Sequence, residues 1–187
     1  MQLKASSVAL AVGGWKLGVQ KALRVLAVSL ALWTAPAGAA DGDDIPPTGV
    51  DASVDEAVER VRAATAPFKS LDRAVAAGYQ RDVEQCVENP PHGGMGFHHE
   101  NPALMDAEVE VERPEILTYQ RMPDGEYRLT GVEYVVPLAA WKEEAPPRVM
   151  GQPMKRAESL GIWYLHVWIW QPNPQGLFAD WNPSVTC

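Results

Sequence analysis

A chain of 187 residues is long enough for one domain with a real hydrophobic core. Its formal net charge is −8, which argues against nucleic acid as a partner because phosphate binding needs a basic face. Cations, neutral molecules and basic proteins are compatible partners for an acidic chain.

The chain opens with the features of a secretory signal peptide over residues 1–40. An apolar run at 25–33 follows Lys21 and Arg24 and precedes small residues that suit cleavage at 37–39. The run is shorter than the roughly 20 apolar residues of a transmembrane helix, and neither cysteine lies near the cleavage site to carry a lipid. We therefore expect a secreted or periplasmic protein without a stable membrane anchor. Its net charge falls from −8 to −12, because the segment removed carries four basic residues and no acidic one.

Cys86 and Cys187 are the two cysteines of the chain. In an oxidising compartment they most simply form one disulfide, although two free thiols and a metal-binding role are alternatives. Such a bridge would tie the C-terminal residue to the segment just before residue 88. Closing a loop of about 100 residues stabilises a fold by ~4–5 kcal/mol in the chain-entropy model.

Residues 41–52 are polar and interrupted by prolines, which predicts a flexible stretch ahead of a single domain at 53–187. Two helices are expected at the start of this domain. The first begins with a capping box at Ser53 and has apolar residues at helical spacing. The second lies between Ser70, a suitable N-cap, and Gly78, a suitable stop.

Strands dominate the second half of the chain. Residues 115–122 and 126–138 flank a Pro-Asp-Gly turn and predict a hairpin. The span 139–160 has no steady period and is interpreted as an excursion over the surface, and the aromatic-rich segment 161–171 is a third strand. The predicted fold class is α+β, with two N-terminal helices packed on an antiparallel β-sheet of three to five strands.

Three of the four histidines lie within residues 88–101, which we interpret as a glycine-rich loop. Its glycines allow a tight turn that presents His98 inward. The fourth histidine, His166, lies on the third predicted strand and shares a face with other aromatic residues, Tyr164, Trp168 and Trp170. The alternative is that the loop histidines are solvated and that His166 is a hydrogen-bonded core residue.

Glu133 shares a face of its predicted strand with Leu129 and Val135. An ionised carboxylate among apolar side chains costs several kcal/mol unless it is paired, and an edge position or an arginine partner would remove that cost. Adjacent strands can also place Glu133 within a few ångströms of His166. A cation bound between strand and loop would then satisfy both residues.

These observations predict a metal site built from His98, His166 and Glu133. Imidazole with thioether favours copper, and imidazoles with one carboxylate fit zinc or non-haem iron. We expect one copper or zinc ion, with copper slightly preferred because of Met95 and the oxidising compartment. The further candidate ligands are His92, Met95, His99 and Glu100.

Two other functions fit the same residues. One is a metal-free binding module for a sugar or a small apolar ligand, lined by the aromatic strand and the glycine-rich segment. The other is a non-haem iron oxidoreductase that uses His98, Glu100 and His166. Serine-nucleophile, nucleotide-binding and thioredoxin-like functions lack their motifs in this chain.

Four segments resemble a family of exported bacterial proteins of unassigned function. They are GGMGFHHEN, RPEILTYQ, GVEYVVP and LHVWIWQPNPQGLFADWNPSVTC, and together they cover most of residues 88–187. The resemblance implies that the segments of His98, Glu133 and His166 belong to one unit. In that family the residue matching His99 is often tyrosine, which leaves His98 and His166 as the preferred histidine ligands.

Overall fold

This computed structural model describes residues 52–80 and 85–187. The predicted signal peptide and the stretch 41–51 lie outside the described residues. The described chain combines helix with a main antiparallel sheet, so the α+β class is confirmed. The main sheet has six strands, which exceeds the predicted three to five. Among the described residues, no helix is both long and apolar enough to cross a membrane.

Helix α1, Ala52–Thr65, packs its apolar stripe onto the sheet. It starts one residue before Ser53, so Ser53 lies inside the helix and is not its N-cap. A 3-10 turn, Ala66–Lys69, leads to the six-residue helix α2, Leu71–Ala76. Ser70 precedes α2 as predicted, but its side chain makes no capping hydrogen bond. The buried residues of α1 are Val54, Ala57, Val58, Val61 and Thr65.

Eight strands are described. In chain order they are β1 Cys86–Glu88, β2 Gly94–Glu100, β3 Ile116–Arg121, β4 Tyr127–Pro137, β5 Arg148–Val149, β6 Gln152–Pro153, β7 Lys155–Ala157 and β8 Ile162–Val167. The main sheet has the order β1-β2-β3-β4-β8-β7, and all its pairs are antiparallel. Strands β5 and β6 form a separate two-stranded ribbon.

The predicted hairpin is confirmed as β3 and β4, with Gly125 in the turn at φ +89°. The predicted excursion at 139–160 instead contains the short strands β5, β6 and β7. The third predicted strand, 161–171, ends early at Val167. Beyond that residue Trp170 reaches the helical side of the sheet and donates its indole N–H to Thr65 Oγ1. Trp170 therefore does not share a face with His166.

The glycine-rich segment is a strand, which corrects its interpretation as a loop. Its glycines permit close backbone contacts within the fold as well as a turn. A Cβ atom on Gly96, whose φ is +93°, would lie 2.3 Å from the carbonyl oxygen of Tyr119 on the next strand. A Cβ atom on Gly93, in the turn before β2, would lie 2.1 Å from the carbonyl oxygen of Asn182.

The two faces of the sheet are covered differently. The main core lies between the sheet and the helices, and it includes Tyr134 and Leu165. Leu129 belongs to this helical face, because the pairing of β3 with β4 shifts register between Thr118 and Tyr119. The expectation that Leu129 shares a face with Glu133 is therefore wrong: an irregular pair changes the alternation of side chains.

The end of the C-terminal tail, residues 179–187, returns to β2 and pairs with its first residue. Gly94 and Asn182 exchange two backbone hydrogen bonds of 3.1 Å each. The tail ends at the disulfide between Cys86 and Cys187, so the predicted pairing of the two cysteines is confirmed. These contacts fix the tail over the strand face that carries the candidate site.

Candidate metal centre

Glu133 on β4 lies directly opposite His166 on β8. Opposed residues of an antiparallel pair point to the same face, with Cβ atoms ~4.5–5.5 Å apart. Glu133 is 6% exposed and His166 is fully buried, so the pair lies beneath the surface. The expectation that adjacent strands bring these two residues together is confirmed.

His98 completes the group from β2. In the register of the sheet, His98 pairs with Thr118 on β3, and Thr118 pairs with Gly131 on β4. The Nε2 atom of His98 lies 3.4 Å from the Oε2 atom of Glu133. One ligand atom from each of His98, Glu133 and His166 lies within 4.8 Å of the others. An ion bonded at ~2.0–2.1 Å needs ligand atoms roughly 3–4 Å apart, so the group could hold a metal ion after its more distant ligand atoms move slightly closer.

Gly131 makes room for this arrangement. A Cβ atom at this position would lie 2.5 Å from the carbonyl oxygen of Val167 and 3.3 Å from the Nε2 atom of His166. Any larger residue would therefore displace β8 or the His166 ring. A single glycine inside a predicted strand often marks such a close approach, and this signal was available in the sequence.

His166 is held in place by packing alone. Its ring lies on Trp168, with the two ring centroids 4.3 Å apart. The indole N–H of Trp168 donates to the carbonyl oxygen of Ala179 at 2.7 Å, which fixes the indole. Within the described structure neither ring nitrogen of His166 has a hydrogen-bond partner. A buried polar atom without a partner costs ~1–3 kcal/mol, and a bond to a metal would remove that cost from one nitrogen.

Burial dominates the electrostatics of the group. Burial lowers the pKa of His98 to about 4 and the pKa of His166 well below its ordinary value. Burial also raises the pKa of Glu133 to about 8, with smaller contributions from the charges of Asp180 and Glu100. Both imidazoles are therefore neutral at pH 7, which is the form that binds a metal.

His99 lies on the other face of β2. Neighbouring residues of a strand point to opposite faces, so His98 and His99 do not serve one ion. The ring of His99 packs against Tyr119 and Tyr127, and its Nδ1 donates to the carbonyl oxygen of Gln80 at 2.7 Å. The geometry thus excludes His99 from this centre, and the loop interpretation explains the incorrect expectation.

The other candidate ligands are divided between the centre and the surface. Met95 and Glu100 line the same cavity as His98 and Glu133, although neither belongs to the close group. His92 is exposed in the turn between β1 and β2, where its backbone N–H donates to Asn89. His92 therefore lies outside the cavity lining.

A cavity of about 500 Å³ opens over the group. His98 and Glu133 contribute to its lining, whereas the fully buried His166 does not. The rest of the lining is mainly apolar, and its apolar members are Val87, Met95, Ile116, Ala157, Leu160, Ile162 and Trp181. An ion held by the group would therefore face a small, largely apolar space.

One polar wall of the cavity comes from the tail, and the sequence did not predict it. Asp180 lines the cavity and forms an ion pair with Lys155 on β7. The hydroxyl of Tyr164, on β8, lies 3.5 Å from Asp180 Oδ2. The prolines and glycines around Asp180 predict turns, but they carry no signal for the strand that the tail crosses.

The described tryptophans do not form a stacking row for a sugar. Trp141, Trp163 and Trp170 pack against the core on the helical face. Trp168 is buried beside His166, and Trp181 is the described tryptophan that lines the cavity. The aromatic strand therefore contributes chiefly to packing.

No family model, curated protein or solved structure matches this chain.

Proposed function

We propose that this protein is an exported metal-binding protein whose ion is held by His98, Glu133 and His166. The observation that carries the proposal is the convergence of three ligand atoms within 4.8 Å on a buried strand face. Two further features of the same residues support it. His166 keeps both nitrogens without hydrogen-bond partners, and Glu133 is a nearly fully buried carboxyl group.

A purely structural role accounts less well for this cluster. The 3.4 Å separation of His98 Nε2 and Glu133 Oε2 exceeds the usual hydrogen-bond range of ~2.7–3.2 Å. Without an ion, the fold must bury two neutral imidazoles and a carboxyl group that satisfy one another poorly. A divalent cation would bond to all three and would compensate the charge of Glu133.

We infer zinc or copper as the ion. Two imidazoles and one carboxylate form a known set of protein ligands for zinc, which leaves a fourth position open. Met95 lines the adjoining cavity and is the feature that favours copper, since thioethers are soft ligands. Because the close group contains Glu133 and not Met95, zinc is the better match.

A non-haem iron centre is the second candidate. Two histidines and one carboxylate with open positions are also the ligand set of Fe(II) oxygenases. In this alternative Glu133, and not Glu100, supplies the carboxylate, because Glu133 groups with both histidines.

Export belongs to the same proposal. The disulfide between Cys86 and Cys187 favours an oxidising compartment, such as the periplasm or the cell exterior. The signal-like segment at 1–40 would direct the chain to export, and removal of its basic residues leaves a strongly acidic protein.

Elemental analysis of protein purified without an affinity tag tests the metal site. We expect one equivalent of zinc or copper, or of iron for the second candidate, and near-complete loss in His98→Ala, His166→Ala and Glu133→Gln. The matched control is His92→Ala, which removes an exposed histidine of the same segment and should retain the metal. Metal-free protein after refolding with each ion in turn would refute the proposal.

A further inference from the structure

We infer that the bound ion takes a neutral small molecule as an additional ligand, one with an apolar body and a single nitrogen or oxygen donor. This inference rests on the proposed metal site and names what the site binds. It follows from the position of the cavity, the character of its mouth, its volume and its charge.

The cavity is the accessible side of the group. His166 is fully buried behind the ion position, and its ring packs on Trp168. His98 and Glu133 are the two members of the group that face the cavity. Three protein ligands leave at least one coordination position of a zinc-like ion open. A further ligand would therefore reach the ion through this cavity.

The mouth of the cavity carries the exposed apolar surface of the described chain. Among the described residues, the exposed large hydrophobic side chains are Val87, at 36% exposure, and Leu160, at 71%. Both residues line this cavity, although Val87 lies within β1 and Leu160 precedes β8 in a distant part of the chain. Exposed apolar side chains that converge on one opening mark a binding surface for an apolar group.

The volume limits the size of the ligand. About 500 Å³ lies within the range of small-molecule pockets, roughly 300–1,000 Å³. A helix with its side chains is about 10–12 Å across and would not enter such a space. The volume therefore fits a small molecule and excludes a helix of a partner protein.

The charges around the ion position favour a neutral ligand. Asp180, Glu100 and Lys155 are the charged groups that act on Glu133. The charges of a divalent ion and Lys155 balance those of the carboxylates of Glu133, Asp180 and Glu100. The site as a whole then has no net charge that would attract an ionic ligand. An anionic donor would lie near Asp180 and Glu100 and would be repelled by both.

The experiment uses the full mature protein loaded with Co²⁺, whose visible spectrum responds to changes in its ligands. Binding of one equivalent of Co²⁺ is measured first. 4-Phenylimidazole, a neutral donor with an apolar ring, should then change the spectrum and bind about tenfold or more tightly than imidazole, because the ring leaves water. Phenylacetate, which carries the ring on an anionic donor, should bind more weakly than 4-phenylimidazole.

Leu160→Asn tests the apolar mouth and should leave folding intact, because Leu160 is exposed. We expect this variant to bind 4-phenylimidazole roughly three- to tenfold more weakly, with unchanged affinity for imidazole and for Co²⁺. Leu104→Asn is the matched control, since Leu104 lies outside this cavity and should change none of the three affinities.

The possible failures are distinguishable. Absence of bound Co²⁺ removes the proposed metal site and this inference with it. A normal Co²⁺ stoichiometry with no spectral response, with equal affinity for both imidazoles, or with tighter binding of phenylacetate leaves the metal site standing and overturns the inference about its ligand.

Discussion

His98 on β2 and Glu133 on β4 approach to 3.4 Å across the strand that separates them. Strands two positions apart in a sheet lie roughly 10 Å from each other, so only long side chains on one face can meet. The residues that continue the row of His98 towards β4 are small: Thr118 on β3 and Gly131 on β4. The site therefore depends on the small residues beneath it as well as on its ligands.

Replacing His98 and His166 with alanine should have non-additive effects on metal affinity. Each single substitution should weaken binding by about 100-fold or more, because one direct ligand is lost. The double variant should bind only slightly more weakly than either single variant, since residues that share one ion are coupled. Calorimetric titration with zinc measures the affinities of the two single variants and the double variant. Additive losses of binding free energy would show that the two histidines serve different sites.

Gly131→Ala should distort the centre without removing a ligand. The new methyl group would lie too close to the carbonyl oxygen of Val167 and would contact His166. Overpacking of this kind costs typically ~1–3 kcal/mol of stability and should also lower metal affinity. Urea unfolding and zinc titration measure the two effects. Gly125→Asn, at an open turn that tolerates positive φ, is the control and should keep full metal affinity.

The sequence predicted those parts of the site that follow from strand periodicity. Alternation along β4 and β8 put Glu133 and His166 on interior-facing positions, and their mutual need for a partner suggested a shared cation. The Pro-Asp-Gly turn predicted the hairpin of β3 and β4, and the count of two cysteines predicted the disulfide. Each of these features depends on local pattern or on simple chemistry.

Other parts depend on long-range contacts and could not be predicted in this way. The glycines within 93–96 predict a loop when only the sequence is considered. The close approach of Asn182 and Tyr119 explains why side chains are excluded there. Asp180 reaches the cavity because a tail with no regular period returns to β2. The register shift between Thr118 and Tyr119 moves Leu129 to the other face, and no residue type in the sequence requires it.

The exported protein should begin near Asp41 and carry the Cys86–Cys187 disulfide. The bridge joins residues 101 positions apart, and closing such a loop should stabilise the fold by ~4–5 kcal/mol in the chain-entropy model. Mass spectrometry of secreted protein and urea unfolding of Cys187→Ser check both statements. Two free thiols or a retained N-terminal segment would contradict the export proposal.

Glu115 should make stability fall as pH rises. Its buried carboxyl group accepts a hydrogen bond from the backbone N–H of Val135 at 3.0 Å, and burial raises its pKa from 4.5 to about 7. A raised pKa contributes stability that is complete below pH ~4.5 and is lost as pH rises through about 7.

Glu115→Gln keeps the acceptor and removes the charge. The variant should match the native protein near pH 4 and exceed it by roughly 3 kcal/mol at pH 8. Urea unfolding in the presence of a chelator measures the difference. Glu126→Gln, at an exposed turn position, is the matched control. Equal stability of the Glu115 variant and the native protein at both pH values would show that Glu115 does not titrate in this range.

Glu133 should control how metal affinity depends on pH. In the absence of an ion, burial raises the pKa of Glu133 to about 8, so at pH 7 its carboxyl group holds a proton. The protonated carboxyl group of Glu133 contributes stability to the metal-free protein below the ordinary pKa of 4.5, and this stability is lost as pH rises through about 8. A bound cation instead favours the ionised form of Glu133, because the cation bonds to the carboxylate and must displace its proton.

Metal affinity should therefore rise about tenfold per pH unit between pH 5 and pH 8 and level off above pH 8. The histidines should not add to this slope, because burial holds the pKa of His98 at about 4 and lowers the pKa of His166 well below its ordinary value. Titration with zinc at a series of pH values measures the slope. Acidification should release the metal, and the melting temperature should then fall to that of the metal-free protein. Glu133→Gln should bind weakly and with a nearly flat pH profile. A bend near pH 6.5 that persists in Glu133→Gln would instead assign the competing proton to a histidine with ordinary basicity, and an unchanged affinity in that variant would exclude Glu133 as a ligand.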